Sequence, residues 1–345
     1  MIYFACDYAE GAHEAILQRF LETNRESTPG YGDDRFSVSA KEKIRLACGD
    51  PTADVYLLAG GTQTNALVIS AVLKPWEGVI SAVTGHINCH EAGAVEYTGH
   101  KVFSLPQYDG KLSAGDVDGL LSAWEKDVNR EHMVKPGMVY VSHPTENGTL
   151  YTKAELTALS ETCRAHGIPL FLDGARLGYG LVSPASDMNL ADIARLCDVF
   201  YIGGTKVGAL CGEAVVFPRH GAPERFFTTV KQHGALLAKG RLTGIQFDTL
   251  FTETDGEALY WKIARHAMDM AAKLRSLLVE KGIRIAWESP TNQQFAVLEN
   301  GYMEKLAEKA AFSIWEPWDS THTVVRFCTS WATTEEDLAA LRSVL

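Results

Sequence analysis

Two successive apolar runs of this chain end in charged side chains. Leu170-Phe171-Leu172-Asp173-Gly174-Ala175-Arg176 closes one run with a carboxylate and an arginine. Val199-Phe200-Tyr201-Ile202-Gly203-Gly204-Thr205-Lys206 closes the next with a lysine. An acid in a buried strand mouth, followed one helical crossover later by a lysine, is the pairing that pyridoxal phosphate (PLP) chemistry requires. The lysine forms a Schiff base with the cofactor aldehyde, and the acid keeps the pyridine nitrogen protonated so that the ring is an electron sink. The plainer alternatives are a salt bridge from Asp173 to Arg176 and a surface position for Lys206.

Three further groups have side chains suited to the same chemistry. Gly60-Gly61-Thr62-Gln63-Thr64-Asn65 lies between a strand and a helix, where backbone amides and a threonine hydroxyl bind phosphate. An ordinary strand–helix turn would have the same composition. Gly85-His86-Ile87-Asn88-Cys89-His90-Glu91 places three titratable side chains at another strand mouth, suited to ring stacking and acid–base work, or to one partly buried, hydrogen-bonded histidine. Arg326 interrupts the run Val324-Val325-Arg326-Phe327. Such an arginine is expensive unless it meets an anion, either a substrate carboxylate or an acid of the chain itself.

The elements that position these groups read as alternating strands and helices. Short apolar runs at 55–58, 78–83, 100–105, 138–142, 170–173 and 199–203 are strands. Helices fall at 12–24, about 38–48 with Val38, Ile44 and Ala47 inward, 65–73, 113–126 and 156–166. Continuous rather than alternating apolar runs indicate a mostly parallel sheet covered by helices on both faces, an α/β fold. The alternation stops near residue 218. A long helix at about 255–282, strands near 283–286, 294–298 and 323–327, and a last helix at 333–345 capped by Thr334 form a smaller α+β domain. The expected division is 1–245 and 246–345.

Composition narrows the partners. With 345 residues the chain can bury a large core. Its net charge of −11 disfavours nucleic acid and anionic membrane, which need clustered positive charge. The seven cysteines never fall at C-x-x-C spacing, which argues against a zinc site or a disulfide framework, so no metal is expected. The N-terminus does not read as a secretory signal and no run reaches the ~18 apolar residues of a membrane helix, which together suggest a cytoplasmic protein.

Taken in order, phosphate turn, histidine, Asp-x-x-Arg, lysine and late arginine resemble the L-threonine aldolase/β-eliminating lyase family, PLP enzymes of the aspartate-aminotransferase fold (fold type I). The likeness runs over nearly the whole chain. Its most specific piece is Asp173-Gly174-Ala175-Arg176-Leu177, and Tyr31-Gly32-Asp33-Asp34 and Glu91-Ala92-Gly93 also have counterparts. The resemblance implies that Lys206 carries the cofactor, His86 stacks on its ring, Asp173 pairs with the ring nitrogen and Arg176 lies by the phenolate oxygen. It implies phosphate binding by Gly61, Thr62 and Gln63, and substrate binding by Arg326, Tyr31 and Asp7. It also implies a homodimer or homotetramer with shared active sites, to which Tyr31 and Arg241 would contribute from a neighbour.

The expected reaction is cleavage of a β-hydroxy-α-amino acid such as threonine, allo-threonine or phenylserine to glycine and an aldehyde, with His86 or His90 as the base. β-Elimination of the tryptophanase or cysteine-desulfhydrase type is the alternative, and a catalytically inactive regulator is a third. Thr205, His90, Thr145 and the proline-free segment 207–212 depart from the family pattern, and they cluster around the substrate's β-substituent.

Overall fold

The computed structural model describes all of residues 1–345. Its centre is a seven-stranded sheet in the order Asp54–Leu58, Glu213–Phe217, Val199–Gly203, Leu170–Asp173, Lys135–Ser142, Glu77–Ala82, Val102–Leu105. Glu213–Phe217 runs antiparallel to both neighbours and the other pairings are parallel. Leu170, Leu172, Phe200 and Ile202 pack into one core, against helices that include Lys153–Ala165 and Leu259–Glu280. Phe171, Tyr201, Tyr140 and Met138 alternate to the other face, against Gly61–Val72 and Phe226–Gln232. Burial on both faces explains the continuous apolar runs.

Helix ends follow local chemistry. Thr152 and Glu155 form a capping box at Lys153–Ala165, and Thr334 with Asp337 forms another at Glu335–Val344. Asp34 caps Arg35–Cys48, so that helix begins three residues earlier than its apolar pattern suggests. The buried stripe is then Phe36, Ala40, Ile44 and Cys48, and Val38 lies 45% exposed rather than inward.

The C-terminal part is a four-stranded antiparallel sheet, Arg284–Ile285, Gln293–Glu299, His322–Cys328 and Ser313–Pro317. The N-terminal strand Ile2–Tyr3 pairs in parallel with Ala310–Ala311 beside it. Asp7 therefore enters the molecule from the C-terminal side and reaches the large sheet. No helix is long and apolar enough to cross a membrane.

Candidate active site

Four titratable groups meet at the carboxyl ends of four parallel strands, the edge where open α/β sheets bind ligands. Asp173 ends its strand, Lys206 follows Gly203, Glu146 follows Ser142 and His86 follows Ala82. His86, His90, Glu146, Arg176, Lys206 and Arg326 line one cavity of about 870 Å³. The C-terminal part contributes Trp287, Trp315 and Arg326 to its lining.

Asp173 is buried, and protein donors occupy both of its oxygens. Oδ2 accepts from Tyr140 Oη at 2.5 Å and Asn65 Nδ2 at 2.9 Å. Oδ1 accepts from Tyr201 Oη and, at 3.0 Å, from the Ala175 amide. Burial pushes its pKa up, but the neighbouring His86 and these donors outweigh burial and hold it below the usual aspartate value. The alternative pairing of Asp173 with Arg176 does not occur. Arg176 is instead bidentate to Asp7, Nε to Oδ2 at 2.7 Å and Nη2 to Oδ1 at 2.9 Å. Asp7 also accepts from Asn292 Nδ2 at 2.9 Å, and despite full burial its carboxyl is held well below its ordinary pKa by Arg176 and Lys206.

Asn65 ties this floor to the histidine. Its Nδ2 also donates to Glu91 Oε1 at 2.7 Å, and the same oxygen holds His86 Nδ1 at 2.7 Å. Burial raises the Glu91 pKa. His90 lies nearer the rim, its ring 5.6 Å from that of His86. Burial, His86 and Arg326 lower its pKa, favouring the neutral imidazole. His143 is fully buried outside the cavity, with its pKa lowered to about 4 by burial.

Lys206 has no ion-pair partner, and its Nζ lies 5.8 Å from the centre of the Tyr8 ring. Burial, followed by Arg176, lowers its pKa and favours the neutral, nucleophilic amine. Glu213 sits beside it, bonded to Thr205 Oγ1 at 2.7 Å and raised to about 8 by burial. Arg326 has no acid partner either. Nη1 reaches Gln293 Oε1 at 2.9 Å, the guanidinium lies 5.1 Å from the Trp315 ring centre, and buried Nε has no partner.

Gly61, Thr62 and Gln63 open the helix Gly61–Val72, which no side chain caps. A Cβ on Gly61 would stand 3.3 Å from Tyr201 Oη, so this turn abuts the Asp173 end of the site. Uncapped amides, an ionised acid and an unpaired lysine at one strand edge fit the phosphate, ring nitrogen and aldehyde of PLP. Tyr31 and Arg241 lie outside the cavity of their own chain. Tyr31 is 45% exposed with Lys231 over its ring, and Arg241 donates to the carbonyls of Thr23 and Glu26 at 2.6 Å.

Tyr140, Tyr201, Asn65 and Glu146 are absent from the sequence-based set of site residues. Tyr140 and Tyr201 did carry a signal, because each is the single polar group within an apolar run, Met138–Val141 and Val199–Ile202. Asn65 and Glu146 carried none, since only the fold brings Asn65 against Asp173 and Glu146 to the cavity.

Comparison with known proteins gives the family. The family model described as beta-eliminating lyase matches residues 4–324. A low specificity L-threonine aldolase of a Pseudomonas species is 29% identical over 99% of this chain and 97% of its own. Its Pseudomonas aeruginosa counterpart is 29% identical over 88% of this chain and 86% of its own. A solved Leishmania major threonine aldolase superposes with a TM-score of 0.94 at 43% identity, covering 100% of this chain and 98% of that one. The aspartate aminotransferase of Thermus thermophilus, at 16% identity and a TM-score of 0.71, shares the fold. The chain belongs to the beta-eliminating lyase family of PLP-dependent enzymes.

Proposed function

We propose that this protein is an aldolase that cleaves β-hydroxy-α-amino acids of the threonine, allo-threonine or phenylserine type to glycine and an aldehyde. The observation that carries this reading is the cavity, where an unpaired lysine, an acid-free arginine and several proton acceptors converge. The full-length likeness to threonine aldolases supports it.

In this reading Lys206 is the amine that holds the cofactor, and the uncapped turn Gly61-Thr62-Gln63 binds its phosphate. When bound, PLP supplies a protonated ring that accepts the electron pair released at Cα. Asp173 stays ionised to keep that ring nitrogen protonated, while Tyr140 and Tyr201 hold the carboxylate in place. His86 packs against the ring, oriented by Glu91. Arg326 binds the substrate carboxylate with its fork, for which Lys would be a poor substitute. Arg176, bonded to Asp7, fixes the wall nearest the phenolic oxygen. Asp7 then acts on substrate through Arg176 and Asn292. Tyr31 and Arg241 complete a neighbouring copy's site in a homodimer or homotetramer. The division expected at 245/246 falls inside the helix Arg241–Leu250, and the first strand joins the second part. Seven free cysteines suit a reducing cytoplasm.

β-Elimination is the second reading, favoured by the family description itself. Incubating the purified protein with threonine, phenylserine, cysteine and tryptophan and identifying the carbonyl products separates the two. Glycine with acetaldehyde or benzaldehyde is expected. Pyruvate and ammonia from every substrate that reacts would replace the aldolase by the lyase.

A further inference from the structure

Cleavage of Cα–Cβ needs a proton acceptor at the β-oxygen, and His86, His90 and Glu146 all line the cavity. Their bonding is unequal. Glu146 is only 9% exposed and has no ion-pair partner. Its Oε1 accepts from Ser142 Oγ at 2.5 Å and from the His86 amide at 2.9 Å. No other residue donates to Oε2, and the side chain lines the cavity. Oε2 is not sealed off by the protein, so a donor that enters the cavity can bond to it.

The loop that carries Glu146 holds it firmly. Thr145 Oγ1 and Thr149 Oγ1 lie 2.6 Å apart, and the Thr145 amide donates to the Thr149 carbonyl at 3.0 Å. Gly148 sits at φ 72°, and a Cβ there would come within 2.1 Å of Ser289 Oγ, so the C-terminal part backs the turn. A carboxylate fixed on a tight, supported loop is pre-organised for one task.

We propose that Glu146 Oε2 takes the β-hydroxyl proton of the substrate during Cα–Cβ cleavage. The inference rests on the aldolase reading and names the acid–base group of that site. The O–H and Cα–Cβ bonds break as the aldehyde C=O forms. The electron pair left at Cα takes up a proton from solvent and Glu146 releases its proton to solvent, so glycine plus aldehyde balance the substrate. In the reverse direction Glu146 returns the proton to the new alkoxide. The charged or titratable groups facing it are His86 and Cys89 from the short helix beside it, Asp173, Tyr140 and Tyr151. Burial, and after it Asp173, raise its pKa, while Ser142 and His86 oppose that, leaving a stronger base than an ordinary glutamate.

The test separates two reactions of the holoenzyme. Cleavage of threonine or phenylserine needs a base at the β-oxygen, whereas exchange of the glycine α-proton with deuterated solvent does not. Glu146→Gln should lower cleavage by about 10²- to 10⁴-fold. Glycine exchange, and glycine binding read from the cofactor's visible absorption, should stay within a few-fold. Glu146→Asp should recover part of the cleavage. The acid limb of wild-type cleavage, lost as pH falls through the Glu146 pKa, should be missing from glycine exchange. Equal losses in cleavage and exchange, or glycine binding lost in both variants, would make Glu146 a structural residue and overturn the proposal. Pyruvate rather than glycine from wild type would overturn the aldolase reading and the proposal with it. Glycine from wild type with undiminished cleavage in Glu146→Gln would overturn the proposal alone.

Discussion

Asp173 and Glu146 are buried carboxyls at the ends of adjacent strands, and their surroundings treat them in opposite ways. Asp173 accepts four hydrogen bonds from Tyr140, Tyr201, Asn65 and Ala175, and its pKa is lowered. Glu146 has donors at one oxygen, and burial raises its pKa. The first environment maintains a fixed negative charge. The second keeps a proton acceptor poised and leaves room for a ligand. Two carboxyls driven apart in pKa by their neighbours are a recurrent way to divide acid–base roles within one site.

Removing the lysine tests the frame of that comparison. Lys206→Ala should eliminate essentially all turnover and the visible absorption of bound cofactor, while thermal unfolding remains cooperative. Borohydride reduction and peptide mapping of wild type should place the pyridoxyl group on Lys206. A label on Lys153 or Lys231 would move the site elsewhere.

Substituting each carboxyl by its amide divides the comparison. Asp173→Asn removes the fixed charge, so cleavage and glycine exchange should both fall, by on the order of 10²-fold or more. Cofactor retention, followed by absorbance after dialysis, should drop only modestly. This common loss contrasts with the selective loss expected for Glu146→Gln. Near-normal turnover in Asp173→Asn would reduce Asp173 to an acceptor for two buried phenols.

Arg326 tests the lining that the C-terminal sheet contributes. Arg326→Lys keeps the charge but loses the fork, so KM for threonine should rise roughly 10-fold or more, with less effect on kcat. An unchanged KM would leave Arg326 as packing for Trp315 and Gln293.

The smallest expected effect concerns the donors of Asp173. Tyr201→Phe removes one hydrogen bond to a charged acceptor, worth roughly 1.5–3 kcal/mol. Denaturant unfolding should show that loss. The donor favours the ionised form, so removing it raises the Asp173 pKa. Any acid limb of glycine exchange due to Asp173 should therefore move to higher pH, and a limb moving to lower pH would contradict this account.

Much of the fold and half of the site were legible because their signals are local. Apolar runs ending in Asp173 and Lys206, the glycine turn before Asn65 and the caps at Thr152 and Thr334 are each read within a few residues. Less local features escaped. The strand Glu213–Phe217 is as apolar as the parallel strands of the sheet, and its antiparallel direction leaves no mark on composition. Val38 was misplaced because helix phase follows the cap at Asp34.

The sequence by itself determined the α/β alternation, the acid–lysine pair and the family, because strand burial and strand-mouth chemistry are written in neighbouring residues. Tertiary structure alone decided which charges are neutralised and which remain available. Arg176 meets Asp7 across 169 residues, Asn65 meets Asp173 across 108, and Glu146 lines the cavity with other residues' donors on Oε1 alone. Hydrogen bonds and desolvation act through space, so the state of a buried charge depends on partners that no local pattern specifies.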